Sequence, residues 1–280
     1  MNASNRQPGI ALFELIEQAV HLLRSAPLQL LTPYAVGALP FILAFLYFWA
    51  DMSRGAFARE HAALAATGMG LLFLWMKCWQ AVFAASLRSR LAGRAAGPWN
   101  LRRAARLALT QMALQPSGLF AVPLALATIF PFVWVYSFYQ NLTAAGGEAG
   151  GLRDICKTAA AQAGLRLGQN FLLLAILFLF AFLVWLNTIF AMAALPGLLR
   201  TFFGVDTAFT QAGRLSVLNT TYLACSFALT WLFVDPLIKT VFVLRCFYGQ
   251  SVRSGDDLKA ELAGLRPPSP DAPALLVSRP

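Results

Sequence analysis

Apolar and polar positions alternate along this chain on a long wavelength, charge-free runs of bilayer-crossing length being separated by short polar or amphipathic stretches. Residues 10–24, IALFELIEQAVHLLR, put Glu14, Glu17, His21 and Arg24 on one helical face and Phe13, Ile16, Val20 and Leu23 on the other. That pattern is expected of a helix lying in a membrane interface. Ser25 and Pro27 punctuate it, and the run 28–50 follows. As a helix that run is about 34 Å long, enough for a ~30 Å hydrocarbon core. Runs at 63–87, 117–139, 171–195 and 217–234 predict further spans. A sixth, 236–248, would be only about 20 Å long and must tilt or thin the bilayer to cross.

Amphipathic segments recur at 100–112, 152–166 and 205–216. Each of the four leads to a span through a polar punctuation: Ser25 with Pro27, Gln115 with Pro116, Gln169 with Asn170, Asn219 with Thr220. The repetition predicts elbow helices feeding membrane helices. The expected architecture is therefore all-α: a polytopic transmembrane helical bundle of about six spans with interfacial amphipathic elbow helices over residues 1–250. Residues 251–280 form a polar, Pro-rich tail with the composition of a disordered segment.

Composition agrees with the pattern. Hydrophobic residues make up 59% of the chain and charged residues 12%, with a mean hydropathy of +0.63, whereas about a quarter of a soluble domain is charged. The net charge of +10 would suit nucleic acid, but the basic residues sit beside apolar runs and lack interleaved aromatics. Arg88, Arg90, Arg94, Arg102, Arg103 and Arg106 follow one another without an acid. By the positive-inside rule their loop faces the cytoplasm and meets anionic lipid headgroups. The N-terminus, which has no basic leader segment, is then cytoplasmic too, and six spans bring the C-terminus back to that side of the inner membrane. Six spans also strand Arg153, Lys157 and Arg166 outside. Five would strand Lys239, Arg245, Arg253 and Lys259 instead.

Ionisable residues within apolar runs are the candidate chemistry, because a charge at bilayer depth is costly and marks a functional site by default. Lys77 lies mid-run between Trp75 and Trp79, and Asp235 directly precedes Pro236. An Asp-Pro step reads as N-cap and first helical position, so one helix is expected to end near Val234 and another to begin at Pro236. Asp235 is then either the charged break of a discontinuous helix or a marker of the membrane surface. Lys77 is its most plausible counter-charge, with Gln80, Asn187, Asn219 and Lys239 as further members of an intramembrane polar site. Cys78, Cys156, Cys225 and Cys246 are scattered without metal or disulfide spacing, and His21 and His61 have polar surroundings. No phosphate loop, HExxH or nucleophile elbow occurs. No cofactor, metal or catalytic activity is expected.

The segments WMKCWQAVFAASLRSRL around Lys77, WVYSFYQN around Tyr139 and DPLIKTVFVLRCFYGQSVRSGDDL from Asp235 resemble a group of bacterial inner-membrane proteins. These are similar in layout to the multi-span membrane domain that precedes some glycerophosphodiester phosphodiesterases. The resemblance implies a membrane bundle and carries over no catalytic residue, because the chain holds no phosphodiesterase domain. Two functions remain open at this level. One is a non-enzymatic membrane subunit or scaffold, whose elbows contact lipids and a membrane-protein partner in an envelope assembly. The other is a transporter or lipid-handling protein with its polar site around Asp235.

Overall fold

The computed structural model describes residues 12–93, 100–129, 131–147, 150–206 and 219–255. Among them every regular element is a helix: α1 (Leu12–Arg24), α2 (Leu28–Arg54), α3 (Ala58–Leu91), α4 (Leu101–Thr128), α5 (Phe132–Ala145), α6 (Leu152–Gly164), α7 (Leu167–Phe203) and α8 (Thr220–Ser254). The chain's own punctuation sets the boundaries. Pro27 stands at the N-cap of α2, where its missing N–H costs nothing. The side chains of Asn100 and Asn219 accept from the N–H groups of Arg103 and Thr221 and so cap α4 and α8. Gly204 and Gly255 close α7 and α8 in the left-handed conformation.

Four of these helices, α2, α3, α7 and α8, are long and apolar enough to cross a membrane, fewer than the six the sequence predicts. Both missing spans have a physical explanation. The run expected to cross at 117–139 is divided: α4 ends at Ile129, whose φ is 60°, and Pro131 starts α5. The two helices then run back along each other, as bonds from Gln115 to Thr143 and between Ser117 and Tyr139 require. The run expected at 236–248 is the second half of α8, which continues through Pro236 without a break. Proline leaves one carbonyl unpaired, but packed neighbours let membrane helices tolerate this. Asp235 is not a cap here, because its carboxylate is engaged by other side chains.

The elbow pattern holds in part. α1 and α6 are separate amphipathic helices, whereas 100–112 is the opening of the longer α4. The fourth elbow, the tail beyond residue 255 and Arg94 lie outside the described residues. On α1 the buried face is Leu12, Leu15 and Ala19, and Phe13 and Val20 are exposed, so the apolar stripe is rotated from the expected one. Leu12, Leu15 and Ala19 pack with Leu173 and Leu177 of α7 and Val241 of α8.

α8 and α5 sit at the centre. α8 packs against α1, α2, α3, α5 and α7, and α5 against α3, α4, α6, α7 and α8. α2 and α3 form a long antiparallel pair that closes tightly at Gly37, where an added Cβ would stand 2.5 Å from that of Trp79. Large apolar side chains face outward along α7, among them Phe171, Leu179, Phe190 and Phe202. A patch of this kind needs lipid or a partner to cover it.

The two ends of the bundle differ in charge. At one end, Arg90 donates to the carbonyl of Ser25, Arg88 to Gln250, and Arg245 to the carbonyl of Leu165. With these sit the basic residues of α4 and α6. At the other end Arg54 donates to Asn219. Among the described residues there, Arg54, Arg59 and Arg200 are equalled in number by Asp51, Glu60 and Asp206.

Candidate functional site

Midway along the bundle, α3 and α8 bring their intramembrane charges to the same level. Counted from the same end of the bundle, Lys77 is 14 residues from Leu91 and Lys239, one turn beyond Asp235, is 15 from Ser254, about 21–22 Å along each helix. Asp235 and Lys239 are one helical turn apart on α8 and form an ion pair across Pro236, with Nζ to Oδ1 at 3.7 Å. Only 5% of Asp235 and 3% of Lys239 is exposed. Gln80 donates to the second carboxylate oxygen at 2.9 Å, and Lys239 donates to Oε1 of Gln140 on α5 at 2.6 Å. The Tyr34 hydroxyl lies beside Asp235 without meeting hydrogen-bond geometry.

Lys77 completes the cluster in an unequal way. Its ammonium lies close enough to both Asp235 and Lys239 to feel their charges, and it sits 5.4 Å from the ring centre of Phe73. Two lysines and one aspartate therefore make up the cluster, one more basic side chain than acidic. The expected pairing of Lys77 with Asp235 is replaced by Asp235 with Lys239, because a partner four residues away on the same helix needs no tertiary adjustment.

Lys77, Asp235, Lys239 and Gln140 line a cavity of about 410 Å³ between α3, α4, α5, α7 and α8. Lys77, Asp235, Lys239, Gln115 and Gln140 form its polar part, and Leu119, Val122, Phe178, Phe227 and Trp231 are among its apolar walls. The polar part continues into α4 and α5. Gln115 donates to Gln111 at 3.1 Å and to Thr143 at 3.1 Å, and Tyr139 bonds Ser117 at 2.8 Å. Oε1 of Gln80 is buried without a partner, leaving an acceptor free within the cluster.

Of the residues predicted for this site, Lys77, Gln80, Asp235 and Lys239 come together. Asn187 bonds the carbonyl of Leu183 in its own helix, and Asn219 serves as the cap of α8. Neither reaches the cavity. Among the basic residues expected to meet headgroups, Arg88 and Arg90 instead tie α3 to Gln250 and Ser25, whereas Arg102, Arg103 and Arg106 line a separate pocket. The sequence reading missed Gln111, Gln115 and Gln140. For Gln111 and Gln115 the signal was present as two glutamines four apart in a charge-free run, which lie on one helical face. Among the described residues no group of histidine, cysteine and carboxylate side chains could hold a metal ion. Comparison of the chain with known protein families, with curated proteins and with solved structures finds no match.

Proposed function

We propose that the chain is a non-enzymatic, lipid-handling protein of the bacterial inner membrane that takes the anionic headgroup of an amphiphile into the cavity between α3, α4, α5, α7 and α8. On this reading α2, α3, α7 and α8 cross the bilayer, and α4 with α5 enters as a re-entrant hairpin and returns to the same side. Four crossings with one hairpin put the basic residues of α3, α4 and α6 on one face together with both termini, and leave the charge-balanced end on the other. The positive-inside rule is then obeyed at every described segment, which neither five nor six crossings achieved. The cytoplasm is on the basic side.

The observation that carries the functional reading is the second lysine. Two lysines and one aspartate in a cavity with apolar walls give it one more basic group than acidic, and a protonated Lys77 at bilayer depth would call for an anionic guest or a wet path. A headgroup phosphate or carboxylate would meet Lys77, while a hydrocarbon chain would lie along Leu119, Val122 and Phe227. A scaffold has no need of a second lysine there. Glutamines and tyrosines around the lysines supply both donors and acceptors for a polar headgroup.

The experiment is thermal unfolding of the purified chain in neutral detergent, titrated with dodecyl phosphate and, as control, with dodecyltrimethylammonium. Dodecyl phosphate should raise the unfolding temperature of the wild type and leave Lys77→Met unchanged, and the cationic amphiphile should do neither. No response of the wild type to the anionic amphiphile would reduce the cluster to a structural ion pair. The scaffold role, with its membrane-protein partner, would then be the better account.

A further inference from the structure

The central cavity leaves one polar residue of α7 unused, and the fold turns it outward. Asn187 is exposed, whereas its neighbours Trp185 and Thr188 turn inward and bond Ser226 and Thr230 of α8. Along the helix the nearest charged residues are Arg166 and Arg200, 21 and 13 residues away. The amide is therefore about 20 Å from the nearer one, deep in the run that is long and apolar enough to cross a membrane. One of its N–H groups donates to the carbonyl of Leu183 at 2.8 Å, and among the described residues the second N–H and Oδ1 have no partner. Lipid chains offer neither a donor nor an acceptor. Phe180, Leu183, Phe190 and Ala194 stand around Asn187 and are exposed with it. Steps of three and four residues set all five in one seam, along about 21 Å of helix.

We infer that this seam is the interface of a symmetric dimer, in which α7 packs in parallel against α7 of a second copy and the two Asn187 amides bond each other. The inference rests on α7 crossing the bilayer, as in the topology proposed above, and not on the ligand of the cavity. A polar side chain that faces hydrocarbon is satisfied by a group on another helix, and the chemistry of this one selects which. An amide carries both donors and an acceptor, so it is its own complement. The second N–H of each copy can donate to Oδ1 of the other while both keep the bond to Leu183. Two copies inserted in the same orientation are related by a two-fold axis along the membrane normal, which sets residue 187 opposite itself at one depth. A helix of different sequence would have to supply a donor and an acceptor at that level by coincidence. Ala194, with no side chain beyond Cβ, lets the two backbones approach, and Leu183 and Phe190 flank the amides with apolar contact. One polar residue in such a seam also fixes its register, because any slip parts the pair. Phe178 and Ala181, which line the cavity, lie on the other side of α7, so the dimer leaves the cavity of each copy clear.

The test uses the full-length chain in two settings. In native membranes, single cysteines in a background without the four native ones should cross-link two copies on oxidation when placed at Phe190 or Ala194, and should not when placed at Phe182, on the far side of the helix. In phosphatidylcholine vesicles, Förster transfer between donor- and acceptor-labelled protein, followed as the protein is diluted in lipid, gives the dissociation constant. Asn187→Leu, which removes the amide at similar volume, should raise that constant about tenfold or more. Asn187→Gln, which keeps an amide, should recover most of the loss, and Ala194→Phe should abolish the dimer. Phe182→Leu and Lys77→Met should leave it unchanged. Asn187→Leu should keep the wild-type response to dodecyl phosphate, which separates loss of the dimer from loss of the fold. Equal transfer in Asn187→Leu and the wild type, equal cross-linking at positions 182 and 194, or a wild type that is monomeric at every dilution would each overturn the inference. A monomer whose cysteine at Phe203 is labelled from outside counts against the dimer alone. A chain that is not labelled there loses the topology, and the dimer falls with it.

Discussion

Removing the three ionisable side chains of the cavity one at a time should produce three different outcomes, and the geometry ranks them. At 3.7 Å the attraction between Asp235 and Lys239 is about 4 kcal/mol at an effective dielectric constant of ~20, largely offset by the desolvation of both groups. Asp235→Asn leaves two ammonium groups facing each other with no counter-charge, and a loss of about 3–5 kcal/mol is expected. Lys239→Met is milder. Asp235 keeps the bond from Gln80 and the nearby Lys77, so the loss is that of a charged hydrogen bond, about 1.5–3 kcal/mol. Lys77→Met leaves a matched pair and should fall within about 1 kcal/mol of the wild type in either direction. Asp235→Asn combined with Lys239→Met strands one cation in place of two, so the double variant should be more stable than Asp235→Asn alone, a non-additivity that only contacting groups show. Equilibrium unfolding in mixed micelles of neutral detergent and dodecyl sulfate would measure all four. If Lys77→Met proves as damaging as Asp235→Asn, Lys77 is the true counter-ion and is not left for a ligand to meet.

Three further outcomes follow from the fold. Single cysteines at Phe57 and Phe203 should react with an impermeant thiol reagent in intact cells, while cysteines at Gly147 and Ser254 should react only after the membrane is opened; reaction of Gly147 from outside would restore a crossing at 117–139. Gly37→Ala should lose about 1–3 kcal/mol in the same unfolding assay, since the new methyl meets Trp79 at 2.5 Å and the Met76 carbonyl at 3.2 Å, whereas Gly70→Ala, with open space around it, should lose nothing. Ile129→Gly should gain about 1 kcal/mol, because a β-branched residue at φ 60° is strained and Ile129, 80% exposed, gives up little packing; a loss would mean that its side chain anchors the turn.

Some of this was legible in the sequence, and the residues show why. The long runs of α2, α3 and α7 announce themselves by length and absence of charge, and Lys77 and Asp235 stand out against them. The hairpin of α4 and α5 does not, because a run that crosses and a run that turns back have the same composition. Only the conformation of Ile129 and the pairing of Ser117 with Tyr139 separate the two cases. Pro131 was a signal, yet Pro33, Pro40, Pro116 and Pro196 lie inside continuous helices, so proline alone cannot identify a turn. Asp235 with Pro236 misled for a related reason. A cap motif predicts local structure when the side chain has nothing better to bind, and here Gln80 and Lys239 compete for the carboxylate. Tyr136 and Tyr139 sit in the aromatic run WVYSFYQN with no charge to mark them, and in the fold both line the central cavity.

The hairpin and the charged cavity are parts of one arrangement. Backbone that turns at membrane depth is tolerated only where it is enclosed by protein or lines a cavity, and α5 is enclosed by α3, α4, α6, α7 and α8. Its 14 residues give about 21 Å of helix, well short of the 34 residues of α3. Gln115, Tyr139 and Gln140 lie along its length, and with the lysines of α3 and α8 they line the cavity beside it. A full crossing at 117–139 would have carried apolar side chains through the same volume and closed it. On the proposed topology the short helix is thus what makes room for a polar headgroup at a depth where lipid alone offers none. The polar ladder from Gln111 through Gln115 to Thr143 ties α5 to α4 and so fixes the short helix in that place.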